Sequence, residues 1–120
     1  TCTELEYALM IVPTPLEITD ANLDTLENIE GRTIVYWYAK WNGPHRTVGA
    51  YVDVLCRKLH DTLTVARVEA DKNPDAWNKY SVHGVPCVQV LDNGELVATM
   101  YGNTTQQQLE KFAQDTHDRA

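Results

Sequence analysis

Apolar residues fall along this chain in runs whose period changes, and each change marks a new element. Leu16-Glu17-Ile18 alternates and reads as a short strand. Behind a cap at Thr19 or Asp20, Leu23, Leu26 and Ile29 recur at helical spacing, and Gly31 ends that segment. Thr33 to Ala39 is apolar or aromatic at odd and even positions alike, the pattern of a strand covered on both faces. Val48, Tyr51, Val52, Leu55, Cys56 and Leu59 then return to helical spacing, up to about His60. Leu63 to Ala70 is a further strand. Asn73-Pro74 supplies the cap and first residue of another helix, with Ala76, Trp77 and Tyr80 on one side.

After Gly84-Val85-Pro86 comes a strand from Cys87 to Leu91, and Asp92-Asn93-Gly94 is a hairpin signal leading into Leu96 to Tyr101. Gly102 breaks that strand, and Thr105 and Gln108 have capping-box spacing for a last helix with Leu109, Phe112 and Ala113 inward. The order β-α-β-α-β-α-β-β-α predicts an α/β fold, a central mixed sheet flanked by helices on both faces and closed by an antiparallel hairpin. Residues 1–15 precede this as an N-terminal extension and residues 16–120 form the domain. Within the extension Thr3 and Glu6 have capping-box spacing, and Leu5, Leu9 and Val12 form a stripe before Pro13. A short helix and an extra edge strand both fit, and the helix is preferred.

Composition narrows the function more than the fold. The 120 residues suit a single core, and a 43% hydrophobic share argues for a folded domain. A net charge of −7 argues against a nucleic-acid partner, which needs clustered Lys and Arg. The longest apolar runs are far below the ~20 residues that span a bilayer, so no membrane association is expected. The three cysteines, Cys2, Cys56 and Cys87, are far apart and form no Cys-x-x-Cys, which favours a reducing, cytoplasmic setting.

Between the buried strand and the long helix stands Trp41-Asn42-Gly43-Pro44-His45-Arg46. Gly-Pro makes a tight turn, with Pro44 pre-set for the first helical position. Here the chain resembles the thioredoxin family, which carries Trp-Cys-Gly-Pro-Cys-Lys at this place. The resemblance covers roughly residues 16–118 and also rests on Asp71-Lys-Asn-Pro74, Gly84-Val85-Pro86, Asn93-Gly94-Glu95 and Gly102. It implies a thioredoxin fold and a cis Val85–Pro86 bond facing the turn. It also implies a groove flanked by Trp41, where backbone pairs with an extended peptide.

The chemistry of the family is missing from its motif. Thiol–disulfide exchange needs an attacking thiolate and a resolving thiol. Asn42 and His45 replace both cysteines, and neither side chain does either job. The family's buried Asp, and the Lys opposite it, align with Tyr36 and Arg67. A phenol of pKa ~10 is a poor general base at neutral pH. The expectation is therefore a redox-inactive thioredoxin-like protein with no catalytic residue. It would act as a protein- or peptide-binding, chaperone-like module through Trp41, Gly43, Pro44, Val85, Pro86 and Cys87.

The alternative is a single-thiol redox protein or sensor using Cys87, and a third possibility is a homodimer formed through residues 1–15. Cys56 is expected in the core, as is Trp37, and Trp77 is expected as a packing residue on the third helix. His45, His83 and Cys87 lack the ligand spacing of a zinc site, so neither metal nor other cofactor is expected.

Overall fold

A run that is apolar on both parities has no solvent face, so it belongs in the middle of a sheet covered twice. The computed structural model, which describes residues 13–41 and 45–115, places it there. The strands are β1 (Leu16–Ile18), β2 (Arg32–Tyr38), β3 (Thr64–Glu69), β4 (Cys87–Asp92) and β5 (Glu95–Tyr101), arranged β1-β3-β2-β4-β5. β3 runs parallel to both β1 and β2, while β4 runs antiparallel to β2 and β5. Four α-helices stand among the described residues: α1 (Leu23–Glu27), α2 (His45–Leu59), α3 (Pro74–Lys79) and α4 (Gln106–Gln114).

Alternation along β2 divides the core in two. Ile34, Tyr36 and Tyr38 point towards α2 and α4, packing with Val48, Val52, Leu55, Cys56 and Leu109. Val35 and Trp37 point the other way, towards Leu26 of α1 and Ala76 of α3, together with Val68, Cys87 and Leu91. The second layer carries a buried polar network. Trp37 Nε1 donates to Gln89 Oε1 at 3.0 Å, and Gln89 Nε2 donates to the Tyr80 carbonyl at 2.9 Å, so that amide crosses the core with partners at both ends.

The segment after Thr19 keeps the local cap that the sequence predicts, while long-range contacts are added there and replace the local cap at α3. The segment after Thr19 begins as a 3-10 turn, Asp20–Asn22, and α1 proper is only five residues long. The Thr19 N–H donates to Asn22 Oδ1 at 2.6 Å. Asp20 turns outward from its own helix and accepts from the N–H groups of Asp75 and Ala76, at 3.2 and 2.9 Å, at the start of α3. Asn73 sits at the expected cap position of α3, but its amide is used otherwise. It accepts from the Asp20 N–H at 3.0 Å and donates to the Glu69 carbonyl at 2.9 Å. The two segments thus cap each other across the fold. At α4 the local expectation holds, with the Gln108 N–H donating to Thr105 Oγ1 at 3.1 Å.

The hairpin between β4 and β5 turns on Asn93 and Gly94, both in the left-handed region at φ 50° and 83°. Gly94 has a second constraint, because a Cβ there would meet the Glu27 carbonyl oxygen. Residues 1–12, which carry the predicted extension helix and dimer contact, lie outside the described residues. No described helix is long and apolar enough to cross a membrane.

Candidate functional site

Parallel strands end together, and loops that follow their carboxyl ends gather at one edge of the sheet, where open α/β sheets hold ligands. Here β2 ends at Tyr38 and leads to Ala39 and Trp41, while β3 ends at Glu69 and leads to Ala70 and Asp71. The approach to β4, antiparallel to β2, brings Gly84 and Val85 to the same place. Together with Pro74 and Trp77 of α3 these residues line an open cavity of about 560 Å³. Trp41 forms one wall and is 71% exposed, a large aromatic surface left in water. Among the described residues of the lining Asp71 carries the only charge; the others offer apolar side chains or backbone.

The predicted binding residues divide between groove, core and the part of the turn that is not described. Trp41 and Val85 line the groove. Pro86 is buried next to it, following a cis Val85–Pro86 bond, and its carbonyl accepts from the Gly102 N–H at 2.9 Å. Asn42, Gly43, Pro44 and the His45 side chain lie outside the described residues, although His45 opens α2.

Cys87 is a correction. Expected in the binding set because it follows Pro86, it does not line the groove and is 1% exposed. Its register partner is Trp37, and its sulfur packs in the α1–α3 layer. Desolvation pushes the thiol up to about 12, so at neutral pH it keeps its proton. Cys56 lies in the opposite layer, also raised by burial.

Tyr36 is 2% exposed and faces Arg67 across the β2–β3 register. Burial pushes its phenol far above the usual value, with the neighbouring Tyr38 and Asp53 adding to the shift and Arg67 opposing it. It therefore stays neutral and serves as no base. Tyr38 beside it is pushed up to about 12, chiefly by burial and then by Glu17, to which its hydroxyl donates at 3.2 Å. Arg67 completes that cluster, its Nε donating to Glu17 Oε1 at 2.8 Å and its guanidinium lying 5.8 Å from the centre of the Tyr38 ring.

Residue reading missed the far wall of the groove. Trp77 was expected only as packing, and it does meet Trp37 edge-on at 6.3 Å, but it also lines the cavity with Trp41. The signal available was Asn73-Pro74, which starts α3 where its first turn reaches the loop after β3. Among the described residues no group of three or more His, Cys, Asp or Glu is placed to hold a metal ion.

Comparison with known proteins agrees with this geometry. Residues 14–115 match the family model described as Thioredoxin. A thioredoxin-like protein of Synechocystis is 33% identical over 106 residues, covering 86% of this chain and 95% of that protein. The thioredoxin of Rhodospirillum rubrum is 31% identical over 87 residues, covering 72% of this chain and 84% of its own. Among solved structures, a point-mutant thioredoxin from Halobacterium salinarum superposes with a TM-score of 0.74 at 25% identity, over 82% of this chain and 87% of that one.

Proposed function

This chain belongs to the thioredoxin family, and from that premise we propose that it is a member without dithiol chemistry that binds a protein or extended peptide segment in the groove beside Trp41. The observation that carries this reading is the groove itself, walled by Trp41, Pro74, Trp77 and Val85, with no thiol among the described residues of its lining. Asn42 and His45 occupy the positions of the exchanging cysteines. An amide has no thiolate to attack a disulfide, and an imidazole does not resolve a mixed one. The recognition surface survives the loss of the reaction because an exposed indole needs no cysteine beside it to bury apolar area.

The relatives bearing the name thioredoxin favour a redox role instead, and the route open to it here is Cys87 as a single thiol. Its burial and raised pKa weigh against that route, since the thiolate is the reactive species. The magnitudes also limit the proposed module. Covering Trp41 gains ~25 cal/mol per Å² of apolar area. Association entropy offsets several kcal/mol of that, on the order of 4–15. Groove contacts alone therefore bind weakly, and a dedicated partner needs contacts beyond them.

The test is capture of partners from the source lysate by the intact chain, with and without excess dithiothreitol. Partner recovery should survive the reductant, fall at least tenfold with Trp41→Ala, and stay unchanged with Cys87→Ala. Recovery abolished by dithiothreitol or by Cys87→Ala, and indifferent to Trp41→Ala, would put the single-thiol reading in its place.

A further inference from the structure

Neither the groove nor a thiol uses the residues that stand where the family has its buried acid and the basic residue opposite. Tyr36, Tyr38 and Arg67 line a second cavity, of about 260 Å³, between the sheet and the first turns of α2. Arg46, Gly49 and Asp53 form its helical side. We propose that this cavity binds a small organic carboxylate, with the carboxylate between the Arg46 and Arg67 guanidinium groups and the apolar body of the ligand against the Tyr36 and Tyr38 rings.

Charge is the first argument. The chain carries ten Lys and Arg against seventeen Asp and Glu, yet two of those ten meet at one cavity. Among the described residues no carboxylate lies within ion-pair distance of Arg46. Arg67 is held by Glu17 and by the Tyr38 ring, so its fork is positioned before any ligand arrives and little side-chain entropy remains to be lost. Planar guanidinium groups bind carboxylates through paired, charge-assisted hydrogen bonds. Asp53 is the opposing charge in the lining, and Arg57 shares an adjoining cleft with Asp53 and Arg67. That balance leaves room for a single negative charge and disfavours a dianion.

Size and surface give the second argument. The volume lies below the roughly 300–1,000 Å³ of sites for drug-sized molecules, so the ligand is small. Much of the lining is ring face, aliphatic side chain or glycine, which a bare inorganic ion leaves uncovered. The Tyr36 and Tyr38 rings stack with centroids 5.5 Å apart and line the cavity from the sheet side, each buried but for a narrow strip. Gly49 keeps that wall open from the helix side, because even a Cβ there would come within 3.8 Å of the Tyr36 ring and hydroxyl.

Amide chemical-shift titration of the full chain with sodium phenylacetate tests this, with phenylacetamide and inorganic phosphate as comparison probes. Saturable shifts should concentrate at Tyr36, Gly49, Val52 and Arg67, with phenylacetamide and phosphate each at least tenfold weaker. Arg46→Gln, at an exposed side chain, should weaken phenylacetate about tenfold. Ala50→Leu, also exposed, should block the cavity mouth while leaving the spectrum otherwise native. Absence of saturable shifts, equal binding of the amide or of phosphate, shifts confined to Trp41 and Trp77, or indifference to Arg46→Gln would each overturn the assignment.

Discussion

Cys87 keeps its proton because its sulfur is packed, with desolvation alone responsible for the shift. Its ordinary value is near 9, and the folded protein raises it to about 12. Between those values the unfolded chain has lost a proton that the folded one still holds, so raising the pH favours unfolding. The stabilising contribution is fully present below pH 9 and is lost as the pH climbs towards 12. Urea midpoints measured from pH 8 to 11 should fall, and Cys87→Ala should flatten that fall. The variant itself should cost about 1 kcal/mol, as a small deletion in a packed core.

Tyr36 supports a second expectation at the same scale. Installing Asn42→Cys and His45→Cys together should give insulin-disulfide reduction above the parent's reductant-only background but below family-like turnover, because Tyr36 offers no carboxylate for proton transfer. Full turnover would show that position to be irrelevant. Motif position alone singles out Trp41 and Val85, two residues that line the cavity. The depth of Cys87 was not visible in this way, because β4 is buried on both parities and alternation there marks no exposed side.

Elements in this fold are fastened by side chains that cross it. Arg32, at the start of β2, donates to both Asp92 oxygens at 3.1 and 3.3 Å. It also donates to the carbonyls of Ala113 and Asp115, at 3.2 and 2.6 Å, where α4 ends. One guanidinium therefore joins two strands and satisfies orphan carbonyls of a helix. Arg32→Ala should destabilise by about 2–3 kcal/mol, given ~1.5–3 for hydrogen bonds to charged groups, and hydrogen exchange should show early opening of the last turn of α4. Gly94→Ala should cost more than about 2 kcal/mol in a urea melt, since the positive φ and the Glu27 carbonyl oxygen in the path of a Cβ leave it no room. The hairpin was readable from Asp92-Asn93-Gly94, since turn chemistry is local. The Asp20–Asn73 exchange was not, because each residue looks like a cap for its own helix until the fold brings them together.

Taken whole, the molecule separates its two described cysteines by the full thickness of the sheet, Cys56 in one layer and Cys87 in the other. They cannot meet without unfolding, so the thermal midpoint should be the same with and without reductant. A shift of more than a degree or two would mean that a disulfide contributes to the folded state. The order of elements and the central place of β2 follow from periodicity and turn residues, both of which are local along the chain. A sheet covered on both faces follows too, because a doubly apolar strand admits no other place. Depth and convergence do not follow in this way. They depend on which residues, remote in sequence, share a layer. Trp77 lining the groove, Cys87 buried outside it, and Arg46 lining one cavity with Arg67 and two stacked tyrosines all arise from packing between segments that carry no mark of one another.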